Sequence, residues 1–369
     1  MAVLTIGGPG STGTSDRAAR LPTRLHVGAG WGVPAVDEHA VYYLSKYHEL
    51  VCVGRTVGGT RWKRTLGGGA PVTAGTTVAL AGPLVVAGDD DLFALDRLTG
   101  AQRWRFSPAV GYGVGHYLGD TSGSAVLTGS PSGRVHAVDR LTGTLRWMSD
   151  QVSEKATVFP PVATDTGVVA GYTDYGAKPK SGGVMLLDAD TGTARWRTAF
   201  PRGSGAMSSA FAGGPVVAAD FVFAAASDGA VYALDRATGS IRWSLPAIAH
   251  DDTLPASSPG EDLRPMTLQS RILIVGSATG LLTAIDVDRR REAWRFTAPR
   301  DGSIAFRIES DDRAVYVPYL SGRLVAVSLA TGRELWRTGG SGIRFFWPPA
   351  VYRGALYLTT EEGLYAAVR

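Results

Sequence analysis

The chain has 369 residues, of which 44% are hydrophobic and 19% are charged, with 48 glycines and a formal net charge of +4. No stretch reaches the roughly 18 apolar residues of a membrane-spanning helix, and the basic residues are too scattered to form a nucleic-acid-binding stripe. The single cysteine, Cys52, excludes an internal disulfide and a thiol-rich metal site. The abundant glycine favours short strands joined by tight turns over helices.

Residues 1–20 are rich in glycine, serine and threonine, and they predict a flexible segment ahead of a single domain over residues 21–369. Their apolar run is short and lacks a basic flank, so no export signal is visible. We expect a periplasmic or cell-envelope location if a longer precursor carried an export or lipoprotein signal that tethers it to the membrane. Otherwise we expect a cytoplasmic location.

One motif recurs along the chain: a small apolar strand, an Asp, a Thr-Gly turn, and a Trp four residues after the Gly. Clear copies begin at Leu92, Val135, Met185 and Val231, the first reading LFALDRLTGAQRW. Including three weaker copies, the motif tryptophans are Trp62, Trp104, Trp147, Trp196, Trp243, Trp294 and Trp336. Their successive spacings of 42, 43, 49, 47, 51 and 42 residues are typical of four-stranded β-propeller blades.

Each part of the motif has an expected structural role. Further strands such as Pro71 to Leu80 and Pro83 to Gly88 precede the motif strand, which gives four strands a repeat, A to D from the axis outward. We expect Asp235 to cap its turn and Gly239 to supply the positive φ. Each motif Trp is expected to dock its blade against the next blade. The arginines beside the tryptophans are expected to keep an exposed edge strand charged.

The last repeat, from Phe345 to Arg369, ends with the strand Gly363 to Val368 and lacks an outer strand. A circular sheet arrangement must pair its last edge. The segment Leu21 to Gly30 is therefore predicted to supply the missing strand. The predicted fold is all-β, an eight-bladed propeller of four-stranded antiparallel blades that is closed by the N- and C-terminal strands.

The motif resembles the repeat of the quinoprotein (PQQ-like) propeller family, and the resemblance covers about Trp31 to Arg369. Its enzymatic members hold a quinone beneath a disulfide of adjacent cysteines and beside a calcium ligated by Glu, Asn and Asp. This chain has one cysteine and no asparagine. The resemblance therefore points to the non-enzymatic, BamB-like members, with no catalytic residue, cofactor or metal. Cys52 replaces the small Ala94 or Ala137 of other repeats and is expected to be a core thiol.

Three insertions depart from the minimal blade and are predicted to lie on one face: Phe106 to Asp120, Tyr172 to Gly183 and Leu245 to Met266. Their aromatic and charged residues are typical of protein interfaces. The candidate partner-binding residues are Tyr112, His116, Tyr117, Tyr172, Tyr175, Lys178, Lys180, His250, Asp251 and Asp252. The alternative is that these are tolerant loops without a function.

The sequence favours a protein-binding scaffold or assembly subunit that works through its surface loops, with protein partners and no nucleic acid. Two alternatives remain open at this point. One is a quinone-dependent dehydrogenase, and the other is a sensor propeller that binds a small ligand in its central channel.

Overall fold

The computed structural model describes residues 4–7, 19–21, 23–67, 78–88, 91–107, 117–121, 123–178, 180–201, 215–226, 230–245, 265–277, 280–298, 302, 304, 307–338 and 347–368. All regular secondary structure in these ranges is β-strand, and these ranges contain no helix. Over the same ranges, no helix is long and apolar enough to cross a membrane.

The strands follow the chain as three N-terminal strands and then the blades. The N-terminal strands are β1 (Leu4–Gly7), β2 (Ala19–Leu21) and β3 (Thr23–Val27). Blade 1 comprises β4 (Gly30–Val36), β5 (Ala40–Ser45), β6 (Glu49–Gly54) and β7 (Thr60–Thr65). Blade 2 comprises β8 (Val78–Ala81), β9 (Leu84–Gly88), β10 (Leu92–Asp96) and β11 (Gln102–Phe106). Blade 3 comprises β12 (Tyr117–Leu118), β13 (Ala125–Gly129), β14 (Val135–Asp139) and β15 (Leu145–Met148).

The next blades continue in the same order. Blade 4 comprises β16 (Ala156–Val158), β17 (Val162–Thr164), β18 (Gly167–Asp174), β19 (Ser181–Leu187) and β20 (Ala194–Ala199). Blade 5 comprises β21 (Val216–Val217), β22 (Phe221–Ala225), β23 (Val231–Asp235) and β24 (Ile241–Leu245). Blade 6 comprises β25 (Met266–Gln269), β26 (Ile272–Gly276), β27 (Leu281–Asp286) and β28 (Arg291–Thr297).

The last two blades complete the chain. Blade 7 comprises β29 (Glu309–Ser310), β30 (Ala314–Pro318), β31 (Leu324–Ser328) and β32 (Glu334–Thr338). Blade 8 comprises β33 (Ala350–Tyr352), β34 (Ala355–Thr359) and β35 (Gly363–Val368), with β3 as its outer strand.

The eight sheets are antiparallel and have the A-to-D order predicted from the repeat. In blade 4 the first strand is divided, so that β16 and β17 both pair with β18. The predicted fold class, an eight-bladed β-propeller, is confirmed. The chain divides into two compact units, residues 66–264 with blades 2 to 5 and residues 1–65 with 265–369, which contain blades 1 and 6 to 8.

Burial along a blade explains the composition of its strands. In β10 the side chains of Leu92, Phe93, Ala94 and Leu95 are all buried, although successive residues point to opposite faces of the sheet. Both faces are therefore covered, and strict apolar and polar alternation is lost. The outer strand β11 instead exposes Gln102, and its Trp is buried.

Each unit is held by apolar clusters in which side chains of neighbouring blades meet. In the unit of residues 66–264, Leu84 and Trp104 of blade 2 pack with Leu118 and Val126 of blade 3. In the other unit, Tyr316 of blade 7 packs with residues of blade 8 that include Leu356. The stabilising apolar burial thus lies between blades.

A small residue lies directly across the strand pair from six of the seven motif tryptophans, and Trp196 lies opposite Leu186 instead. Ala94 is opposite Trp104, Ala137 is opposite Trp147, and Cys52 is opposite Trp62. Cys52 is fully buried, and burial raises the pKa of its thiol to about 12. Cys52 is therefore a packing residue rather than a nucleophile, because a reactive cysteine needs a lowered pKa.

The closing strand predicted near Leu21 to Gly30 is β3, which pairs antiparallel with β35 from Thr23 opposite Ala366 to Val27 opposite Gly363. Leu25 is buried, and its carbonyl oxygen would lie 2.8 Å from a Cβ on Gly58 of blade 1. His26 hydrogen-bonds through one ring nitrogen to the Tyr43 hydroxyl (2.6 Å) and through the other to the Thr60 hydroxyl (2.7 Å). The N-terminal strand thus joins blade 8 to blade 1.

The sequence predicted only a flexible segment over residues 1–20. In the structure, β1 lies within this segment and β2 lies at its end. β1 pairs with the outer strand β32 of blade 7, and β2 pairs with β1. The sheet of blade 7 therefore has six strands. The motif gave no signal for this addition, because β1 and β2 carry no part of the repeat.

We expect β3, and not the residues before it, to be required for a stable monomer. Removing residues 1–27 should leave the edge of β35 unpaired, so that the protein aggregates and melts at a lower temperature. Removing residues 1–22 should retain most of the stability. Leu25→Ala in the full chain should lower the free energy of unfolding by about 2–4 kcal/mol. Thermal unfolding and size-exclusion chromatography measure these effects, and equal behaviour of the two truncations would contradict the expected role of β3.

Candidate partner-binding surface

The motif aspartates each organise one turn between the C and D strands of a blade. Asp96 Oδ1 accepts hydrogen bonds from the backbone N–H groups of Leu98 and Thr99 at 3.0 Å, and from the Thr99 hydroxyl at 3.1 Å. The same three bonds recur at Asp139, Asp188 and Asp235. These carboxylates are therefore engaged in turns, as the sequence predicted for Asp235.

Four motif tryptophans lie against the Thr-Gly turn of the following blade. The Trp147 ring lies so close to Gly192 that a Cβ there would be 2.4 Å from ring carbon Cε3, and its indole N–H donates to the Ala189 carbonyl at 2.8 Å. The equivalent pairs are Trp104 with Gly143, Trp196 with Gly239, and Trp294 with Gly332. The turn Gly is required for two reasons, a positive φ and the approach of the ring.

The other three motif tryptophans contact aromatic rings of their own blades. The ring centroids lie 6.0 Å apart for Trp62 and Tyr42, 5.8 Å for Trp243 and Phe223, and 6.0 Å for Trp336 and Tyr316. An aromatic residue on the B strand therefore supports the Trp on the D strand. The sequence repeat did not reveal this contact, because the B-strand residue varies between blades.

Several arginines that precede the motif Trp form ion pairs with the motif Asp. The Arg103 Nη2 to Asp96 Oδ2 distance is 2.7 Å, and the equivalent distance from Arg195 to Asp188 is 2.6 Å. Hydrogen bonds from these arginines are the main cause that lowers the pKa of each carboxyl to about 2. The arginines are exposed, as expected for edge charges, and they also fasten the turn.

Alanine substitutions at two glycines should separate the effect of a positive φ from the effect of the tryptophan ring. We expect Gly192→Ala to lower the free energy of unfolding by about 2–4 kcal/mol, since it combines a strained φ with overlap of the Trp147 ring. Gly123 also has a positive φ, of 63°, but nothing lies within 4 Å of a Cβ built there. Gly123→Ala should therefore lose only about 1 kcal/mol. Denaturant unfolding measures both, and equal losses would argue against the docking contact.

The lowered pKa values of Asp96 and Asp188 predict an acid dependence of stability. A carboxyl whose folded-state pKa lies below its unfolded value of 3.8 stabilises the fold above that pH, and the contribution disappears as the pH falls towards 2. Asp96→Asn with Asp188→Asn should therefore reduce the loss of stability between pH 5 and pH 3. Denaturant midpoints at both pH values test this against Asp190→Asn, whose exposed carboxylate is not used in the turn. An unchanged pH dependence in the double variant would refute the assignment.

The candidate loop residues fall into two groups in the structure. Tyr112, His116, His250, Asp251 and Asp252 lie outside the described residues. Tyr117 begins β12, whose pairing with β13 is described, but its side chain is not. Among the candidate residues, the structure therefore describes side chains only in the insertion of blade 4.

Half of the insertion predicted from Tyr172 to Gly183 is strand rather than loop. β18 and β19 continue through it, with Tyr172 opposite Gly183 and Asp174 opposite Ser181. Tyr172 is only 5% exposed, so its prediction as a surface contact is wrong. Its hydroxyl would lie 2.7 Å from a Cβ on Gly183, so the absence of a side chain there makes room for the ring.

The exposed part of the insertion is a short connection that contains Tyr175, Lys178 and Lys180. Tyr175 is 49% exposed, and the Lys180 ammonium lies 5.4 Å from the centre of its ring. The Tyr175 N–H donates to the Lys155 carbonyl at 3.1 Å. On the sheet beside it, the Arg197 guanidinium lies 5.9 Å from the centre of the Tyr172 ring. Burial raises the pKa of the Tyr172 hydroxyl, against the opposite effect of Arg197.

We name these exposed residues the blade-4 cluster: Lys155, Tyr175, Lys178, Lys180 and Arg197. The sequence identified three of its members and missed Lys155 and Arg197. Lys155 lies ahead of the insertion, and Arg197 is the residue after a motif Trp. Their sequence context gave no signal, because contacts between distant residues place them here, a backbone hydrogen bond from Tyr175 to Lys155 and a contact of Arg197 with the Tyr172 ring.

The residues do not fit the quinone and metal ions of the enzymatic relatives. The only cysteine, Cys52, is buried in β6 and cannot form the disulfide of adjacent cysteines. The chain has no asparagine for the usual amide ligand. In the described part of the chain, no group of three or more His, Cys, Asp or Glu residues has the arrangement of a metal site.

The sequence of the chain matches one known protein family. The profile of the outer membrane protein assembly factor BamB matches residues 11–245, 131–288, 180–344 and 278–369. The chain belongs to the BamB family. The matches overlap because a repeat can align in several registers, and together they extend over nearly the whole chain.

Individual relatives agree with this assignment. The outer membrane protein assembly factor BamB of Bordetella pertussis is 25% identical over 317 residues, which cover 82% of this chain and 74% of that protein. The crystal structure of BamB from Moraxella catarrhalis has a TM-score of 0.66 at 19% identity, covering 93% of this chain and 96% of that one. A europium-containing methanol dehydrogenase has a TM-score of 0.69 at 15% identity, covering 92% and 84%. The two structural matches show the fold alone. The family match and the BamB relatives confirm the predicted resemblance to the quinoprotein-type repeat family.

Proposed function

We propose that the chain is a non-catalytic scaffold, a protein-binding subunit of an assembly complex that acts in the cell envelope. The observation that carries this proposal is the match of the BamB family over nearly the whole chain. The name of the relatives describes an assembly factor for outer membrane proteins. A subunit of this kind binds proteins through its surface, for which a rigid propeller provides a stable support.

The structure supports this function through the way its polar groups are used. The motif carboxylates hold turns, the motif tryptophans hold blades, and Cys52 is a packing residue with a raised pKa. Within the described residues, the side chains of the blade-4 cluster are exposed and hold no turn, although Arg197 also lies over the ring of the buried Tyr172. Exposed aromatic and basic side chains on a rigid support are typical of protein-binding surfaces.

The alternative of a quinone-dependent dehydrogenase has less support. Its fold is shared, as the methanol dehydrogenase shows. A shared fold does not carry the activity, however, and this chain has neither the pair of adjacent cysteines nor the asparagine that the resemblance associates with the quinone and its calcium.

We expect a tagged form of the chain to co-purify with a stoichiometric protein partner after reversible cross-linking in its native cells. The reciprocal tag on that partner should recover the chain from the envelope fraction. Addition of pyrroloquinoline quinone and calcium should produce neither a bound chromophore nor quinone-dependent dye reduction with alcohols. A stoichiometric quinone chromophore with dye reduction would overturn the scaffold proposal.

A further inference from the structure

The blade-4 cluster carries positive charge without matching negative charge. Ion pairs are common elsewhere, as between Arg195 and Asp188 or Lys63 and Glu49. In the ranges that the structure describes, Lys155, Lys178, Lys180 and Arg197 form no ion pair. An exposed group of unpaired cations attracts negatively charged partners and accelerates their association.

The carboxylates next to the cluster do not neutralise it. Asp174 Oδ1 already accepts the Gly176 N–H at 2.8 Å, at the start of the connection. Glu154 is exposed next to Lys155 in the sequence. Four cations thus stand against two carboxylates, which leaves the cluster with a net positive charge.

The cluster also offers an aromatic surface beside its cations. The half-exposed Tyr175 ring lies next to the Lys180 ammonium, and the backbone bond to Lys155 fixes the position of Tyr175. A tyrosine ring contacts apolar or aromatic side chains at a low entropic cost, because few torsion angles of its side chain have to be ordered. The neighbouring lysines can then bind carboxylates on either side of such a side chain.

We propose that the blade-4 cluster binds an acidic segment of a protein partner, in which carboxylates flank an apolar or aromatic side chain. This proposal rests on the scaffold function and names the class of partner. The carboxylates contact Lys155, Lys178, Lys180 and Arg197, while the apolar side chain packs on the Tyr175 ring.

The connection between β5 and β6 of blade 1 provides a matched control. It also presents a lysine and a tyrosine, with the Lys46 ammonium 5.1 Å from the centre of the exposed Tyr47 ring. It lacks the group of lysines, and the neighbouring Glu49 is paired with Lys63. A single cation beside a ring is therefore present there without the clustered charge.

The test uses the full chain and a fluorescein-labelled peptide, Glu-Glu-Phe-Glu-Glu-Phe-Glu-Glu, with fluorescence anisotropy as the readout. A peptide with Gln at every Glu position is the neutral control. We expect the acidic peptide to bind, and the neutral peptide to bind at least about tenfold more weakly. Raising the salt concentration should weaken binding of the acidic peptide, since exposed charges are screened.

Variants locate the site. Lys155→Gln with Lys178→Gln and Lys180→Gln should weaken binding by about tenfold, the sum expected for three exposed ion pairs. Tyr175→Ala should weaken it further. The control pair, Lys46→Gln with Tyr47→Ala, should leave the affinity unchanged. All these side chains are exposed, so unchanged thermal unfolding verifies that the variants remain folded.

The proposal is overturned if the acidic peptide fails to bind, or if the triple lysine variant binds as tightly as the original chain. Binding of vesicles that contain anionic phospholipid through the same lysines, without binding of the peptide, would also overturn it in favour of a membrane surface. Neither result affects the scaffold proposal, which depends on the cross-linked partner and the absence of quinone chemistry. A quinone chromophore would overturn the scaffold proposal whatever the peptide does.

Discussion

The contact on which the rest of the structure depends is a tryptophan ring lying on a glycine of the next blade. It fixes the residue types around it. The glycine must lack a side chain because the ring occupies that space, as Gly192 does under Trp147. The aspartate at the start of the turn holds the backbone in the shape that receives the ring. The indole N–H of the buried Trp147 then donates to a carbonyl of that turn, so that the ring nitrogen has a hydrogen-bond partner.

This contact explains why most of the fold was predictable from the sequence. A repeated contact requires repeated residues at a fixed spacing, so that the motif gave the blade count, the strand order and the need for a closing strand. The prediction of β3 rested on a physical constraint, the unpaired edge of β35, rather than on any motif. β1 and β2 were missed because they satisfy no such constraint, and the B-strand aromatic rings were missed because Tyr42 and Phe223 differ in type.

The candidate surface was only partly predictable, because function uses residues that the repeat leaves free. Length and composition marked the insertion in blade 4, but Tyr172 is buried, since Gly183 opposite it in β19 has no side chain in the space that the Tyr172 hydroxyl occupies. Lys155 and Arg197 belong to the surface through a backbone hydrogen bond with Tyr175 and a contact with the Tyr172 ring, which the order of residues in the sequence does not show. The blades share the residues that pack them together, and they differ from one another mainly in connections such as this one.

The closure of blade 8 has a consequence for the order in which the chain folds. Blades 2 to 5 form from segments that are contiguous in sequence, so each can fold as synthesis proceeds. The final blade cannot, because its outer strand is made first and its inner strands last. The hydroxyl of Thr359 donates to the carbonyl of Gly32, 327 residues earlier, and this contact forms only when the whole chain exists. The strand partner of β3 is β35, so β3 has no partner in its sheet until β35 has been synthesised. During that time the nascent chain exposes an edge strand, and a cell that makes this protein has to protect it.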